Sequence, residues 1–201
     1  MAIPQKKPFV VVEEYLIQER AADYKSEYCN GEIFAMAGAS RRHCLISTNV
    51  LGELRGRLRG KGCTPYGSDL RIEVPTTGLF TYPDVSVICE QPGFSAHDDE
   101  TVTNPTLLVE VLSDSTEAYD RGGKFANYRT LGSLREYVLV SQKEPLVEVF
   151  FRLDDGTWKL TPVSGLHATA RLQSLEIELP LAEIFYNVQF PDSTPLTPVA
   201  S

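Results

Sequence analysis

The sequence lacks most of the features that identify a membrane protein or a common enzyme class. No apolar run approaches the ~20 residues that a helix needs to cross a bilayer. The glycine-rich stretch 56–62 has neither the spacing nor the Ser or Thr of a phosphate-binding P-loop, and no G-x-S-x-G nucleophile elbow occurs. The three histidines, His43, His97 and His167, are too far apart in sequence to support a histidine-rich metal site.

Cysteine is equally sparse. The four cysteines, at positions 29, 44, 63 and 89, are scattered and form no C-x-x-C pair. A zinc site would need clustered ligands, and a secreted disulfide framework would be denser in a smaller chain. We therefore predict four reduced thiols that serve as packing residues.

The first residues lack the pattern of a signal peptide. Two lysines precede a short apolar run, but Glu13 and Glu14 interrupt that run and no cleavage-type ending follows. We therefore expect a cytoplasmic protein that does not engage a membrane.

Positive charge is also in short supply. The chain has 19 Lys and Arg against 27 Asp and Glu, which gives a net charge of −8. This balance argues against a protein that coats nucleic acid, because non-specific affinity comes from basic side chains that neutralise phosphates. Residues 41–61 are the exception, with six basic side chains against Glu53 alone. This segment either engages a polyanion locally or forms the solvated face of a helix.

The remaining composition is typical of a globular protein, and 201 residues are enough for one domain with a substantial core. The order of helical and strand patterns predicts a mixed α/β class. The predicted elements are a helix over 12–20, two strands around an Asn30-Gly31 turn, a helix after the N-cap Ser40, strands around 69–74, 84–89 and 106–112, a helix over 118–132, strands over 136–141 and 146–153, a hairpin through 154–156, and a strand with a helical turn over 175–185. We predict a single domain over residues 1–190 and a disordered tail over 191–201.

Two strongly apolar stretches, at 82–89 and 105–112, each carry one carboxylate. Alternation places Glu110 on the same strand face as Leu108 and Leu112, where an isolated ionised carboxylate would be costly. If the two strands are neighbours, Asp84 and Glu110 lie side by side and repel one another. A divalent cation between them would remove this repulsion, so the pair predicts a Mg²⁺ or Mn²⁺ site. The alternative is that each acid caps a strand end or pairs with an arginine.

Lys124 follows in the helix directly after the Glu110 strand. It lies one turn before Tyr128, so the two side chains share a helix face that can look toward the carboxylates. An ammonium there would orient a phosphate or an attacking water and balance developing negative charge. The alternative is an exposed surface lysine.

Four stretches, in this order, resemble the Uma-two family of restriction-endonuclease-like proteins within the PD-(D/E)XK nuclease superfamily: SEYCNGEI, RRHCLIS, YPDVSVI, and the segment from PTLLVEVL to EYVLV. The resemblance extends from about Val12 to Phe185. It implies a restriction-endonuclease-like fold, in which a central mixed sheet is flanked by helices and carries extra β-hairpins.

The resemblance also implies roles for individual residues. Asp84 and Glu110 correspond to the two acids of the superfamily motif, and the carbonyl of Val111 is a further metal ligand by analogy. Leu112 replaces the motif lysine, which the family supplies from the helix, here as Lys124. Glu27 matches a family acid that joins the site.

Further residues match recurring polar positions or flank them. We assign substrate contact to Arg41, Arg42, His43 and Tyr128, although His43 also fits a satisfied buried histidine. Asp69 matches a recurring polar position without an assigned role.

These residues predict a Mg²⁺- or Mn²⁺-dependent endonuclease that acts on nucleic acid, with DNA as the expected substrate. The alternative is a catalytically inactive nuclease-fold module that binds an anion or another protein. The apolar hairpin 146–163 makes a homodimer plausible in either case.

Overall fold

The computed structural model describes residues 9–190. The tail that we predict over residues 191–201 lies outside the described residues. Within 9–190, no helix is long and apolar enough to cross a membrane.

The described elements follow the mixed order that the sequence predicts. The helices are α1 (Val12–Ala21), α2 (Arg41–Leu58), α3 (Glu117–Tyr119), α4 (Phe125–Tyr128) and α5 (Leu181–Ile184), with a π-helical turn over Asp120–Lys124 and a 3₁₀ turn over Gln173–Leu175. The strands are β1 (Ser26–Cys29), β2 (Glu32–Ala35), β3 (Thr64–Gly67), β4 (Ile72–Val74), β5 (Leu79–Thr81), β6 (Val85–Ile88), β7 (Leu107–Val111), β8 (Glu136–Val140), β9 (Leu146–Arg152), β10 (Trp158–Ser164), β11 (Thr169–Leu172) and β12 (Ile177–Pro180).

The largest sheet has six strands in the order β10-β9-β8-β7-β6-β3. Its neighbours pair antiparallel except for β7 and β8, which run parallel and make the sheet mixed. A four-stranded sheet, β2-β1-β5-β4, and a two-stranded sheet, β11-β12, accompany it. The predicted fold class is confirmed: a central mixed sheet flanked by helices, with additional hairpins.

The helix α2 forms where the sequence predicts it. The Ser40 hydroxyl accepts a hydrogen bond from the backbone N–H of His43 at 3.1 Å, which satisfies one of the free donors of the first turn. The apolar stripe that follows, with Ile46, Val50 and Leu54, is buried against one face of the six-stranded sheet. The first turn of α2 therefore has a fixed position relative to the central strands.

The strand β7 runs through the middle of the six-stranded sheet and is buried on both faces. Leu107, Val109 and Val111 belong to the core beneath α2, whereas Leu108 and Leu112 belong to the core on the opposite face. This division is the alternation that the sequence predicts. Glu110 lies on the same strand face as Leu108 and Leu112. Its side chain therefore points into the core on the sheet face opposite α2.

The hairpin of β1 and β2 turns at Asn30 and Gly31, which have φ values of 46° and 92°. Two successive positive φ values fit the two-residue hairpin turn that the Asn-Gly pair favours. On its other edge β1 pairs with β5, with Tyr28 opposite Phe80. This register brings Glu27 opposite Thr81.

Two expectations from the sequence are wrong. Cys63 and Cys89 form a disulfide instead of remaining reduced, because antiparallel pairing of β3 with β6 brings positions 63 and 89 opposite one another. Cys29 and Cys44 are free, and Cys44 is exposed rather than packed. The helix expected over residues 118–132 ends at Tyr128 and is interrupted by the π-helical turn, which contains two consecutive glycines.

Candidate active site

Asp84 and Glu110 lie side by side at the ends of adjacent strands. Val85 pairs with Val109, so one further step along each strand places the two acids opposite one another. Asp84 Oδ2 accepts a hydrogen bond from the backbone N–H of Val111 at 2.7 Å. The Glu110 side chain is 5% exposed, so its charge requires partners inside the protein.

Lys124 supplies the amine of this cluster. Its Nζ lies 3.0 Å from Glu110 Oε1, 3.0 Å from Glu27 Oε1 and 3.8 Å from Asp120 Oδ1. The Lys124 side chain is 6% exposed, so the surface position that was the alternative is not observed. Asp120 and Lys124 begin and end the π-helical turn, and both side chains are buried.

Hydroxyl groups hold the acids in place. Tyr128 donates to Glu110 Oε1 at 2.8 Å, and Thr81 donates to Glu27 Oε1. Tyr137 donates to the backbone carbonyl of Asp120 at 3.0 Å. Tyr128 is fully buried in this arrangement, so its contact with substrate stays a prediction.

The first turn of α2 contacts the cluster through His43. His43 Nε2 lies 3.1 Å from Asp84 Oδ2, and its side chain is 16% exposed. Arg42 donates to the backbone carbonyl of Gln142 at 3.2 Å, and Arg41 is exposed. Gln142 also joins this turn to the end of β7, since it accepts from Ser40 Oγ and donates to the carbonyl of Leu112, each at 2.8 Å.

The predicted residues therefore fall into two groups. The structure brings together Glu27, Asp84, Glu110 and Lys124, with Tyr128 and His43 in contact with them. Asp69 stands apart from these contacts, because its exposed carboxylate pairs with Lys25 at 3.0 Å. The basic side chains at the end of α2 are also distant, because the twelve residues from His43 to Arg55 span about 18 Å of helix.

Sequence reasoning missed several residues that complete the cluster. They are Thr81, Tyr137, Gln142 and Asp120, the last of which belongs to the motif segment but received no role from the sequence. The spacing of Asp120 and Lys124, four residues apart in a helical segment, was a signal for one of them. The other three reach the cluster through contacts between residues far apart in sequence, which local spacing does not reveal.

The cluster contains more negative than positive charge. Burial raises the pKa of Glu110 to about 8; the Lys124 ammonium opposes this rise, and the charges of Asp84 and Asp120 add to it. Burial also raises the pKa of Asp120. For Lys124, burial alone would lower the pKa, but Glu110, Glu27 and Asp120 outweigh it and hold the pKa well above the ordinary value. One ammonium therefore lies among four carboxyl groups, and burial favours the neutral form of Glu110 and Asp120.

The donor set around Asp84 and Glu110 fits a hard divalent cation. Such cations prefer carboxylate and carbonyl oxygens, and a Mg²⁺ site commonly has only one or two carboxylates. The N–H of Leu112 bonds to Val140 on β8, whereas that of Val111 points to Asp84. Because the N–H and C=O of one strand residue share an edge, the Val111 carbonyl faces Asp84 as well. Within residues 9–190, no group of three or more His, Cys, Asp or Glu side chains is arranged as a metal site. The donors available here are two carboxyl groups and one backbone carbonyl.

Comparison with known proteins places the chain among nuclease-like proteins. The profile of the Uma2 family, described as "Putative restriction endonuclease", matches residues 12–183. Two relatives come from Synechocystis sp. (strain ATCC 27184 / PCC 6803 / Kazusa), and both are named as uncharacterized proteins. The protein slr1290 is 39% identical over 175 residues, which are 87% of this chain and 90% of the relative. The protein sll1609 is 37% identical over 164 residues, which are 82% of this chain and 93% of the relative.

A solved structure shares the fold. It is described as a crystal structure of "a putative nuclease belonging to DUF820" from Anabaena variabilis ATCC 29413. The TM-score is 0.71 with 16% sequence identity, and the match covers 88% of this chain and 97% of that one. The family match extends over most of the sequence, and the motif residues that suggested it converge in one buried cluster: the chain belongs to the Uma2 family of restriction-endonuclease-like proteins.

Proposed function

We propose that the protein is a divalent-metal-dependent endonuclease that hydrolyses phosphodiester bonds of nucleic acid, with DNA as the substrate. The observation that carries the proposal is the convergence of Asp84, Glu110 and Lys124 at the ends of β6 and β7. Restriction-endonuclease-like enzymes generally use divalent metals, and the charge balance of the cluster favours an added cation.

Asp84, Glu110 and the carbonyl of Val111 are the proposed metal ligands. Each carboxylate keeps one oxygen outside the bonds described above, since Asp84 uses Oδ2 and Glu110 uses Oε1. Bound there, Mg²⁺ or Mn²⁺ would supply Lewis acidity toward a phosphate oxygen and lower the pKa of the attacking water.

Lys124 has the proposed role of holding the attacking water and offsetting charge that develops on phosphorus. The amine is anchored between Glu110 and Glu27, so both position and charge are fixed before substrate arrives. Tyr128 and Thr81 orient these two acids through hydroxyl hydrogen bonds. We assign contact with the phosphate backbone to exposed Arg41, to Arg42, and to His43, which lies beside Asp84.

The test is cleavage of supercoiled plasmid DNA with and without Mg²⁺ or Mn²⁺. The wild type should nick the plasmid only when the metal is present, and Asp84→Ala should lose this activity. Asp154→Ala removes an exposed aspartate on the β9–β10 turn and serves as the matched control. Equal cleavage by wild type and Asp84→Ala would reject the proposal.

One observation favours the alternative of a nuclease-fold module without catalysis. The Lys124 ammonium contacts Glu110 directly at 3.0 Å, so it already supplies part of the compensation that a metal would provide. Such a module would use the same cluster of residues to bind an anion or a protein.

Calorimetric titration with Mn²⁺ separates the two functions. An endonuclease should show a binding heat that Glu110→Gln removes and that an exposed substitution, Glu178→Gln, leaves unchanged. A module without a metal site should show no heat that depends on Glu110.

A further inference from the structure

A cleft of about 630 Å³ opens at the end of α2 that is remote from the acidic cluster. Its walls come from the last turn of α2, from β3 and from the segment that follows β6. Cys89, on this wall, is five residues from Asp84 along the chain, which corresponds to about 16 Å of strand. The cleft is therefore separate from the proposed active site.

The disulfide between Cys63 and Cys89 forms part of the wall. The chain turns after α2 at Gly60 and Gly62, which have φ values of 79° and 73°. Cys63 follows directly before the start of β3. Both half-cystines are partly exposed. Each residue therefore keeps part of its surface open to solvent while it lines the cleft.

Two guanidinium groups line the same cleft. Arg55 and Arg59 are exposed, and neither makes an ion pair or a hydrogen bond with another residue in the range 9–190. Arg57, which belongs to the same helix, instead pairs with Glu53 at 2.8 Å. Glu90 is the one carboxylate among the residues that line the cleft, so the lining carries net positive charge.

From these two observations we propose that this cleft is a thiol–disulfide exchange site for anionic low-molecular-weight thiols. Arg55 and Arg59 attract the carboxylate of the thiol compound, and the Cys63–Cys89 disulfide receives its sulfur. The function is a redox modification of the protein and does not depend on the proposed nuclease activity.

The exchange is balanced in atoms and electrons. A thiolate attacks one cysteine sulfur, the Cys63–Cys89 bond breaks, and a mixed disulfide and one protein thiolate form. A second thiolate attacks the mixed disulfide and releases the small-molecule disulfide and the other protein thiolate. Two electrons pass from the two thiols to the protein, and the two protein thiolates take up the two protons that the reagents lost. The arginines favour both steps, because positive charge stabilises the departing thiolate.

The test compares reduction of the wild-type disulfide by 3-mercaptopropionate, which is anionic, and 2-mercaptoethanol, which is neutral. Peptide mass spectrometry after alkylation first establishes the 63–89 link in the oxidised protein; alkylation of both cysteines without a reductant would overturn the proposal. Each rate is then divided by the rate of the same thiol with 2-hydroxyethyl disulfide, which removes differences in intrinsic reactivity. The normalised rate should be about fivefold higher for the anionic thiol, on the scale of two exposed ion pairs.

Variants show whether the arginines cause this preference. Arg55→Ala/Arg59→Ala should bring the two normalised rates together, whereas Arg57→Ala should keep the preference of the wild type. Arg55 and Arg57 lie in the last turn of α2 and Arg59 is its C-cap residue, so the three arginines are close in sequence and the comparison is matched. Equal normalised rates in the wild type, or an unchanged preference in the double variant, would overturn the proposal.

Discussion

Lys124 compensates the negative charge of the buried acids around it. It is the sole ammonium in contact with Glu27, Glu110 and Asp120 among the residues that the structure describes, and all four side chains are at most 12% exposed. Loss of one partner of a buried ion pair leaves the other charge without compensation, which costs more than the pair itself contributes. The amine therefore has a structural role in addition to the proposed catalytic one.

Lys124→Met should lower the free energy of unfolding at neutral pH by about 3–5 kcal/mol, because buried carboxylates lose their counter-charge. Urea denaturation measures this change. Lys159→Met, on the exposed face of β10, is the control and should change stability by less than about 0.5 kcal/mol. Lys124→Met/Glu110→Gln should recover part of the loss, since the neutral amide needs no counter-charge. A loss below about 1 kcal/mol in the single variant would contradict this account.

At the scale of elements, the long segment between β6 and β7 is fixed by a buried ion pair. Arg71 and Asp98 lie 2.6 Å apart, and their side chains are 7% and 5% exposed. Arg71 also donates to Thr101 and Tyr82, at 2.7 and 3.0 Å. The segment then adds a short bridge to the sheet, where Val102 pairs with Ile72.

Asp98→Ala should lower the free energy of unfolding by about 3–5 kcal/mol at neutral pH, because it leaves the Arg71 guanidinium buried without its partner. Burial alone would raise the pKa of Asp98, but hydrogen bonds with Thr101 and the charge of Arg71 hold it below its ordinary value. A lowered carboxyl pKa contributes stability that is present above the ordinary value and lost as pH falls through the lowered one.

The difference in stability between wild type and Asp98→Ala should therefore shrink as the solution is acidified. Urea denaturation over a pH series measures it, with Asp99→Ala, an exposed neighbour without such contacts, as the control. A stability difference that grows toward acid pH would contradict a lowered pKa of Asp98.

The π-helical turn is the other element that shapes the site, and its two glycines are not equivalent. A Cβ at Gly122 would meet nothing within 4 Å, whereas one at Gly123 would approach the ring of Tyr119 to 3.1 Å. Gly122→Ala should stabilise the protein by about 0.5–1 kcal/mol by restricting the unfolded chain. Gly123→Ala should gain less, because the Tyr119 ring must shift. The urea midpoints of the two variants measure this difference. A Gly123→Ala variant that is more stable than Gly122→Ala would contradict the structure.

At the scale of the whole molecule, a ligand that binds only the folded state should stabilise it. If the cation site exists, Mn²⁺ at ten times its dissociation constant should raise the free energy of unfolding by about 1.4 kcal/mol. Chemical denaturation with and without Mn²⁺ measures this rise, which does not require catalysis. Glu110→Gln should abolish it and Glu178→Gln should not. Equal stabilisation of both variants would place the bound ion elsewhere.

Much of the fold was predictable because its signals are local. The Ser40 cap and the apolar stripe of α2, the Asn30-Gly31 turn and the alternation around Glu110 each depend on neighbours in sequence. The strand β3 escaped prediction because Pro65 and Gly67 disfavour a strand, although an edge position tolerates them. The strand β5 was also missed, because its three residues are too few to show an alternating pattern.

The candidate site was predictable only in outline. Apolar surroundings identified Asp84 and Glu110, and the helix after β7 identified Lys124, but no local pattern shows that Thr81 lies opposite Glu27 or that Cys63 lies opposite Cys89. Those contacts depend on how β1 meets β5 and how β3 meets β6, which is a matter of long-range register.

The parallel contact between β7 and β8 has a consequence for biosynthesis. Parallel strands need a crossover, here the segment with Lys124, so β7 gains this neighbour only after residues 136–140 have left the ribosome. Gln142, which ties the end of β7 to the start of α2, emerges later still. A truncated translation product that ends before β8 would contain every acid of the cluster and yet lack the strand that pairs with β7 and carries Tyr137, so unfinished chains should lack the proposed nuclease activity.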